Sequence, residues 1–274
     1  MKDKIIEEAP AKINLFLKII NKRSDSYYNI RSGVTFINLF DQITVKKSSS
    51  FQINYIGKFA PKNNMYHDCI IEKLFKYYKI NKPNFHFIIN KNIPVQAGLG
   101  SASSNAAAMF RLLKKLDIYK EDKIKNSSFL GSDVPLFLKQ KDCLIQGTGD
   151  IITDKIFPKY YFLLVKPEFN CSTKEMYNKI KIENLDYNSE KDNKEINEFD
   201  TGNDFEEIIK SYHKEISAIL NILKELKNVI FTTVTGSGSC CYAAFDKKKD
   251  AEIAQIIFNK KFPLLWNYIA ENNF

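Results

Sequence analysis

Histidine is scarce: the chain of 274 residues has only His67, His86 and His213. None has a second histidine three or four residues away, so a histidine-based metal site is not expected. Cysteine is odd in number, with Cys69, Cys143, Cys171, Cys240 and Cys241, and no two stand at metal-ligand spacing. Adjacent Cys240 and Cys241 would point to opposite faces of a strand, which favours neither a local disulfide nor a zinc knuckle. Reduced, mostly buried thiols are expected. The first ten residues, MKDKIIEEAP, lack an apolar signal core, and no run of about 18 apolar residues occurs anywhere. A cytoplasmic protein, neither secreted through such a signal nor membrane-spanning, is the expectation.

Lysine, by contrast, is plentiful, and the formal charge is +9. Its lysines are scattered, with only short runs such as Lys247–Lys249, whereas a nucleic-acid face needs clustered charge. With 44% hydrophobic and 27% charged residues the chain reads as globular rather than disordered. Its length suffices for one large domain or two moderate ones.

From Lys12 to Ile20 the residues alternate. Ile13, Leu15, Leu17 and Ile19 face one way, Lys12, Asn14, Phe16 and Lys18 the other, as on a strand. A polar loop over Asn21–Asn29 should follow, then strands near Val34–Ile37, Gln42–Lys46 and Phe51–Tyr55. Helical spacing of Ile70, Ile71, Leu74, Phe75 and Tyr78 predicts a helix, and Phe85–Asn90 a strand. Ser103–Leu116 reads as a helix with an apolar stripe of Ala106, Ala107, Phe110 and Leu113. A boundary falls near 155, dividing the chain into 1–155 and 156–274. The second part reads strand, helix, a polar surface segment over 181–200, helices over 205–226, a hairpin, a helix and a last strand. That order predicts a ferredoxin-like layer.

Four segments carry chemistry. The first is Pro94-Val95-Gln96-Ala97-Gly98-Leu99-Gly100-Ser101-Ala102-Ser103-Ser104, where a strand feeds a glycine-containing loop that opens into a helix rich in small residues. Glycines let backbone approach a phosphate, and the first N–H groups of a helix lack internal acceptors. Ser101, Ser103 and Ser104 add hydroxyl donors. The segment is neither a Walker A motif nor a GxGxxG fingerprint. The second, Thr235-Gly236-Ser237-Gly238-Ser239, reads equally well as hairpin punctuation. Pro10-Ala11-Lys12-Ile13-Asn14 puts Lys12 and Asn14 on one strand face. Gly131-Ser132-Asp133-Val134-Pro135 reads by itself as a helix-to-strand turn capped by Asp133.

In this order and at these separations, the four segments resemble the GHMP kinases. Ala9–Leu17, Ser24–Tyr28, Gly131–Leu138, Gly147–Asp150 and Gly202–Glu206 are similar to the branch acting on diphosphocytidyl-methylerythritol. The resemblance runs from Ala9 to about Phe245. It implies an α+β, two-domain fold, with a ribosomal S5-like N-terminal domain and a ferredoxin-like C-terminal domain. It implies ATP and diphosphocytidyl-methylerythritol as small-molecule substrates, and Mg²⁺ with the ATP; Ser104 is the one candidate protein ligand. Residues 94–104 would wrap the ATP phosphates, with Gly236, Ser237 and Gly238 on the phosphate side. Lys12 and Asp133 match the catalytic pair, and Asn14, Tyr27, Tyr28 and Tyr177 the acceptor-binding positions. Tyr27 and Tyr177 would cover the two faces of the cytosine.

Two departures stand out. Ser101 and Ala102 replace glycines of the usual loop, at no loss if both positions are helical or extended, so Ser101→Gly should be nearly silent. Tyr28 replaces the usual histidine. A homoserine- or mevalonate-type kinase, and a basic nucleic-acid-binding protein of S5-like topology, stay as alternatives.

Overall fold

The computed structural model describes residues 4–61, 69–119, 127–180 and 202–273. In chain order, β1 is Ile5–Lys22, β2 Tyr28–Lys47, β3 Gln52–Ile56, α1 Ile70–Tyr77, β4 Phe85–Asn90, α2 Ser101–Lys115 and α3 Val134–Lys139. Next come β5 Cys143–Gly147, β6 Ile151–Asp154, β7 Tyr161–Lys166, α4 Thr173–Asn178, β8 Gly202–Asn203, α5 Phe205–Tyr212 and α6 Lys214–Glu225. β9 is Phe231–Val234, β10 Cys241–Phe245, α7 Lys248–Lys261 and β11 Trp266–Glu271.

The chain forms two compact units, both discontinuous in sequence. Unit 1 is Met1–Ala11, Leu39–Val95 and Gly100–Gln140; unit 2 is Lys12–Asn38, Gln96–Leu99 and Lys141–Phe274. The long strands β1 and β2 each pass from one unit into the other, so no linear division at 155 reproduces this grouping. In unit 1, β3 pairs parallel with β4, which pairs antiparallel with the second half of β2, from Gln42 opposite Asn90 to Lys47 opposite Phe85. Val45, Phe87 and Ile89 of this sheet share a core with Leu74 and Phe75 of α1 and with Ala106, Met109, Phe110 and Leu113 of α2.

In unit 2, β7, β9, β10 and β11 form an antiparallel sheet in the order β11-β7-β10-β9. Helices α6 and α7 pack on it, giving the expected ferredoxin-like arrangement. Its core joins Leu163 and Val165 of β7 to Phe205, Ile216, Leu220 and Phe258 of the helices, and to Leu17 and Ile19 of β1. Phe16 and Leu17 pair in parallel with Gly202 and Asn203 of β8.

The structure alters several sequence expectations. The two strands expected at 34–37 and 42–46 are one, because Asn38–Asp41 stay extended and bury Leu39 and Asp41. The polar loop at 21–29 shrinks to a turn held by Arg23 and Tyr27, whose backbones bond at 2.8 Å. The pair β5 and β6 was not legible, since its strands are short and show no clean alternation. The polar segment 181–200 lies outside the described residues. Of the cysteines, Cys143, Cys171, Cys240 and Cys241 are buried and Cys69 half-buried, all as free thiols. Burial pushes Cys171 up to about 11 and Cys240 up to about 12.

Candidate active site

Unit 2 assembles Lys12, Asn14, residues 96–99 and the hairpin. Both faces of β1 are covered here, so Lys12 and Asn14 are buried rather than solvated. The Lys12 ammonium donates to Asn14 Oδ1 at 2.5 Å, and the Lys12 N–H donates to the Leu99 carbonyl at 3.1 Å. Asn14 Nδ2 donates to Ser32 Oγ at 2.8 Å, and Ser32 in turn donates to the Phe16 carbonyl at 2.6 Å. These bonds fix the amide with its oxygen toward the lysine.

Thr235 joins three segments through one buried hydroxyl. Its Oγ1 accepts the Asn14 N–H at 3.0 Å and lies 3.3 Å from the Gly98 carbonyl. Backbone bonds run from Cys240 to the Ala97 carbonyl at 3.2 Å and from Cys171 to the Gln96 carbonyl at 3.1 Å. The approach is close enough to require glycine. Gly98 has φ = +75°, and a Cβ there would fall onto the Thr235 carbonyl. At Gly236, φ = +56°, a Cβ would lie 3.3 Å from the Lys12 ammonium. Asn203 holds the far side, its Nδ2 donating to the carbonyls of Val234 at 2.9 Å and Gly236 at 2.7 Å. Ser237 Oγ meets Thr173 Oγ1 at 2.9 Å.

Unit 1 holds the helix end. Gly100, with φ = +75°, precedes α2, and no side chain caps this 15-residue helix. Its first i→i−4 bond is from Ser104 N–H to the Gly100 carbonyl at 2.9 Å, so the N–H groups of Ser101, Ala102 and Ser103 lack acceptors within the helix. Ser101 and Ala102 are both helical, so the glycines they replace are not needed for backbone shape. The turn before α3 lies against this end: a Cβ on Gly131 would be 3.0 Å from Ser103 Oγ. Asp133 precedes α3, half-buried, with Pro135 in the first turn; its backbone is helical and its side chain makes no cap hydrogen bond. Thus the turn is helix-initiating, not helix-to-strand. Ser104 is buried and donates to the Pro10 carbonyl at 2.6 Å.

Tyr28, not Tyr27, lies beside Tyr177, with ring centroids 5.7 Å apart. Tyr177 also packs edge-on against Phe205 at 4.9 Å. At these separations the rings touch one another, leaving no slot for a base between Tyr28 and Tyr177. Tyr27 is 66% exposed, on a turn fixed by its N–H to Asp25 at 3.1 Å.

Sequence reasoning gave no role to Ser32, Asn203, Asp41, Lys91 or Asn105. Each acts through a partner remote in sequence, and no local motif signals such pairs. The linking role of Thr235 was equally silent. Among the described residues, no group of three or more His, Cys, Asp or Glu side chains could hold a metal ion, and no helix is long and apolar enough to cross a membrane.

Comparison with known proteins gives these features a family. Residues 65–140 match the model of the GHMP kinases N terminal domain, and residues 182–264 that of the GHMP kinases C terminal. A 4-diphosphocytidyl-2-C-methyl-D-erythritol kinase of Francisella tularensis subsp. tularensis is 37% identical over 257 residues, covering 90% of each chain. The kinase of that name from Pelagibacter ubique is 36% identical over 270 residues, covering 93% of this chain and 94% of its own. In fold, a crystal structure of 4-(cytidine 5'-diphospho)-2C-methyl-D-erythritol kinase superposes with a TM-score of 0.80 at 20% identity, over 98% of this chain and 100% of its own. Methanococcus jannaschii mevalonate kinase gives 0.62 at 17% identity, over 100% and 99%. The chain therefore belongs to the GHMP kinases, in the 4-diphosphocytidyl-2-C-methyl-D-erythritol kinase family.

Proposed function

We propose that the chain transfers the γ-phosphoryl group of ATP to the 2-hydroxyl of 4-diphosphocytidyl-2-C-methyl-D-erythritol, a step toward isoprenoid precursors. The observation that carries the reading is the uncapped start of α2, entered through Gly100, with the Gly131–Asp133 turn packed against it. Uncompensated N–H groups suit phosphate oxygens, and a carboxylate on the turn packed against that helix end suits a proton acceptor. Residues 94–104 would hold the ATP phosphates, with Gly236, Ser237 and Gly238 on the phosphate side. Asp133 takes the alcohol proton as the alcohol oxygen bonds to phosphorus and ADP leaves. Lys12 offsets charge on the transferring group. Asn14, oriented by Ser32 and Thr235, positions the acceptor. Tyr27, and the pair of Tyr28 and Tyr177, offer outer faces to the cytosine.

Mg²⁺ would arrive on the nucleotide and would neutralise charge on its phosphates. That fits a donor set with hydroxyls rather than a carboxylate cage; Ser104, whose proton goes to Pro10, offers only lone pairs. In linear terms we assign phosphate binding and catalysis to 1–155 and the C-terminal domain to 156–274. No nucleic-acid or membrane partner is part of the reading, and a cytoplasmic location accords with its small polar substrates.

ADP release with ATP and the diphosphocytidyl acceptor, beside homoserine and mevalonate, tests the assignment. Turnover should occur with the first acceptor only. Asp133→Asn should lower kcat by on the order of 10²-fold or more, because a general base contributes about that much. Near-normal turnover of that variant would remove Asp133 as the base.

A further inference from the structure

Unit 1 contains a buried ion pair that the chemistry above does not use. The antiparallel register that sets Gln42 opposite Asn90 brings the preceding Asp41 across from Lys91, at the end of β4. Asp41 is fully buried and Lys91 nearly so. The Lys91 ammonium donates to Asp41 Oδ2, to Ser101 Oγ, and to Asn105 Oδ1 at 2.8 Å, so its three protons have three acceptors. Asp41 Oδ2 also accepts from Ser101 Oγ at 2.8 Å and Asn105 Nδ2 at 2.9 Å. The other oxygen, Oδ1, accepts the N–H groups of Asn92 at 2.7 Å and Ile93 at 2.8 Å.

One carboxylate therefore grips the chain on both sides of residues 94–100. Asn92 and Ile93 precede that segment; Ser101 and Asn105, four residues apart on one face of α2, follow it. Stability alone does not account for a charge pair here. Taking two ions out of water costs about as much as their attraction returns, and apolar side chains of similar volume often do as well. Apolar packing, however, cannot aim two backbone N–H groups and two side chains at one point. The pair contributes direction.

We propose that Asp41, Lys91, Ser101 and Asn105 are positioning residues for nucleotide binding, which fix both ends of the segment 94–100 and the angle at which α2 presents its first N–H groups. The proposal rests on reading that segment as the phosphate-binding loop. It also revises two expectations for Ser101. Its hydroxyl donates to Asp41 and accepts from Lys91, so it is turned into the protein instead of toward a phosphate. Replacing Ser101 by glycine removes a member of the network and is not silent.

The test is direct titration with ATP, beside thermal unfolding and steady-state kinetics, on Ser101→Gly, Asp41→Asn, Lys91→Met and the double variant Asp41→Asn/Lys91→Met. Each single charge variant leaves a buried group without its partner and should lower Tm as well as ATP affinity. The double variant has no unpaired charge and should regain most of the lost Tm. Its Kd for ATP should nevertheless stay raised about tenfold or more, the scale of one lost charge-assisted hydrogen bond, with KM for the alcohol acceptor unchanged. Ser101→Gly should weaken ATP several-fold and lower Tm less than either single charge variant does. Recovery of ATP affinity together with Tm in the double variant, or wild-type affinity in Ser101→Gly, would overturn the proposal. A parent protein that binds ATP but phosphorylates none of the acceptors would refute the acceptor assignment and leave the network standing. One that binds no ATP would remove the loop reading and this proposal with it.

Discussion

Two regions hold a glycine-bearing segment in a fixed shape, and they do it with different chemistry. Around the hairpin Thr235–Ser239 in unit 2, the ties are neutral: a threonine hydroxyl, an asparagine amide and backbone bonds to residues 96–97. At the start of α2 in unit 1, the tie is a buried carboxylate and ammonium. Burial pushes the Lys91 ammonium below its ordinary range, and the Asp41 charge pushes back. Glycine matters in opposite ways as well. Gly98 and Gly236 sit where backbone meets backbone at positive φ; a side chain has no room at Gly98 and is tight and strained at Gly236. Ser101 and Ala102 lie in a helix, where a side chain fits and a hydroxyl can be put to use. Contact, rather than a family's habitual spelling, decides which of these positions require glycine.

The comparison can be broken at its strongest point by Gly98→Ala. The left-handed backbone and the overlap with the Thr235 carbonyl together should destabilise by about 2–5 kcal/mol, with ATP binding lost. Urea denaturation and nucleotide titration read both, and parental stability would mean that loop and hairpin separate at little cost. A smaller effect should follow from Thr235→Val, which keeps the shape and leaves the Asn14 N–H without its acceptor, a loss of about 1–3 kcal/mol. Its kcat should also fall as Asn14 loses its anchor, so an unaltered kcat would show that Ser32 alone suffices to orient the amide. The least effect belongs to Ala102→Gly. Exposed in the first turn of α2, it should cost about 1 kcal/mol or less and leave the Kd for ATP alone. A large change there would mean that the start of α2 obeys the same steric rule as Gly98.

Much of the candidate site could be proposed from the chain because phosphate binding has a local signature. Small residues, glycines and a following helix lie within residues 94–104, an order that suits a phosphate. The strand carrying Lys12 and Asn14 was legible from alternation, and the ferredoxin-like layer from the order of its elements. Asp133 was legible as a helix-turn residue, but its turn opens a six-residue helix too short for periodicity to register. The contact between Tyr28 and Tyr177 was not legible, for a related reason. Which of two adjacent tyrosines meets Tyr177 depends on the face each takes at the start of β2, and nothing local marks that face.

By itself, then, the sequence determined what neighbours along a chain can encode: element types, the glycine-bearing loop that opens into a helix, and the scarcity of histidine. Only the tertiary structure decided how remote residues pair. Asp41 and Lys91 lie 50 positions apart, and Asn14 and Thr235 are separated by 221. The grouping into two units is of the same kind, since two long strands each serve both. Burial removes water as a partner, so each buried polar group must find another. Strand register selects Lys91 for Asp41 within one sheet, whereas Asn14 and Thr235 meet because two different sheets pack together.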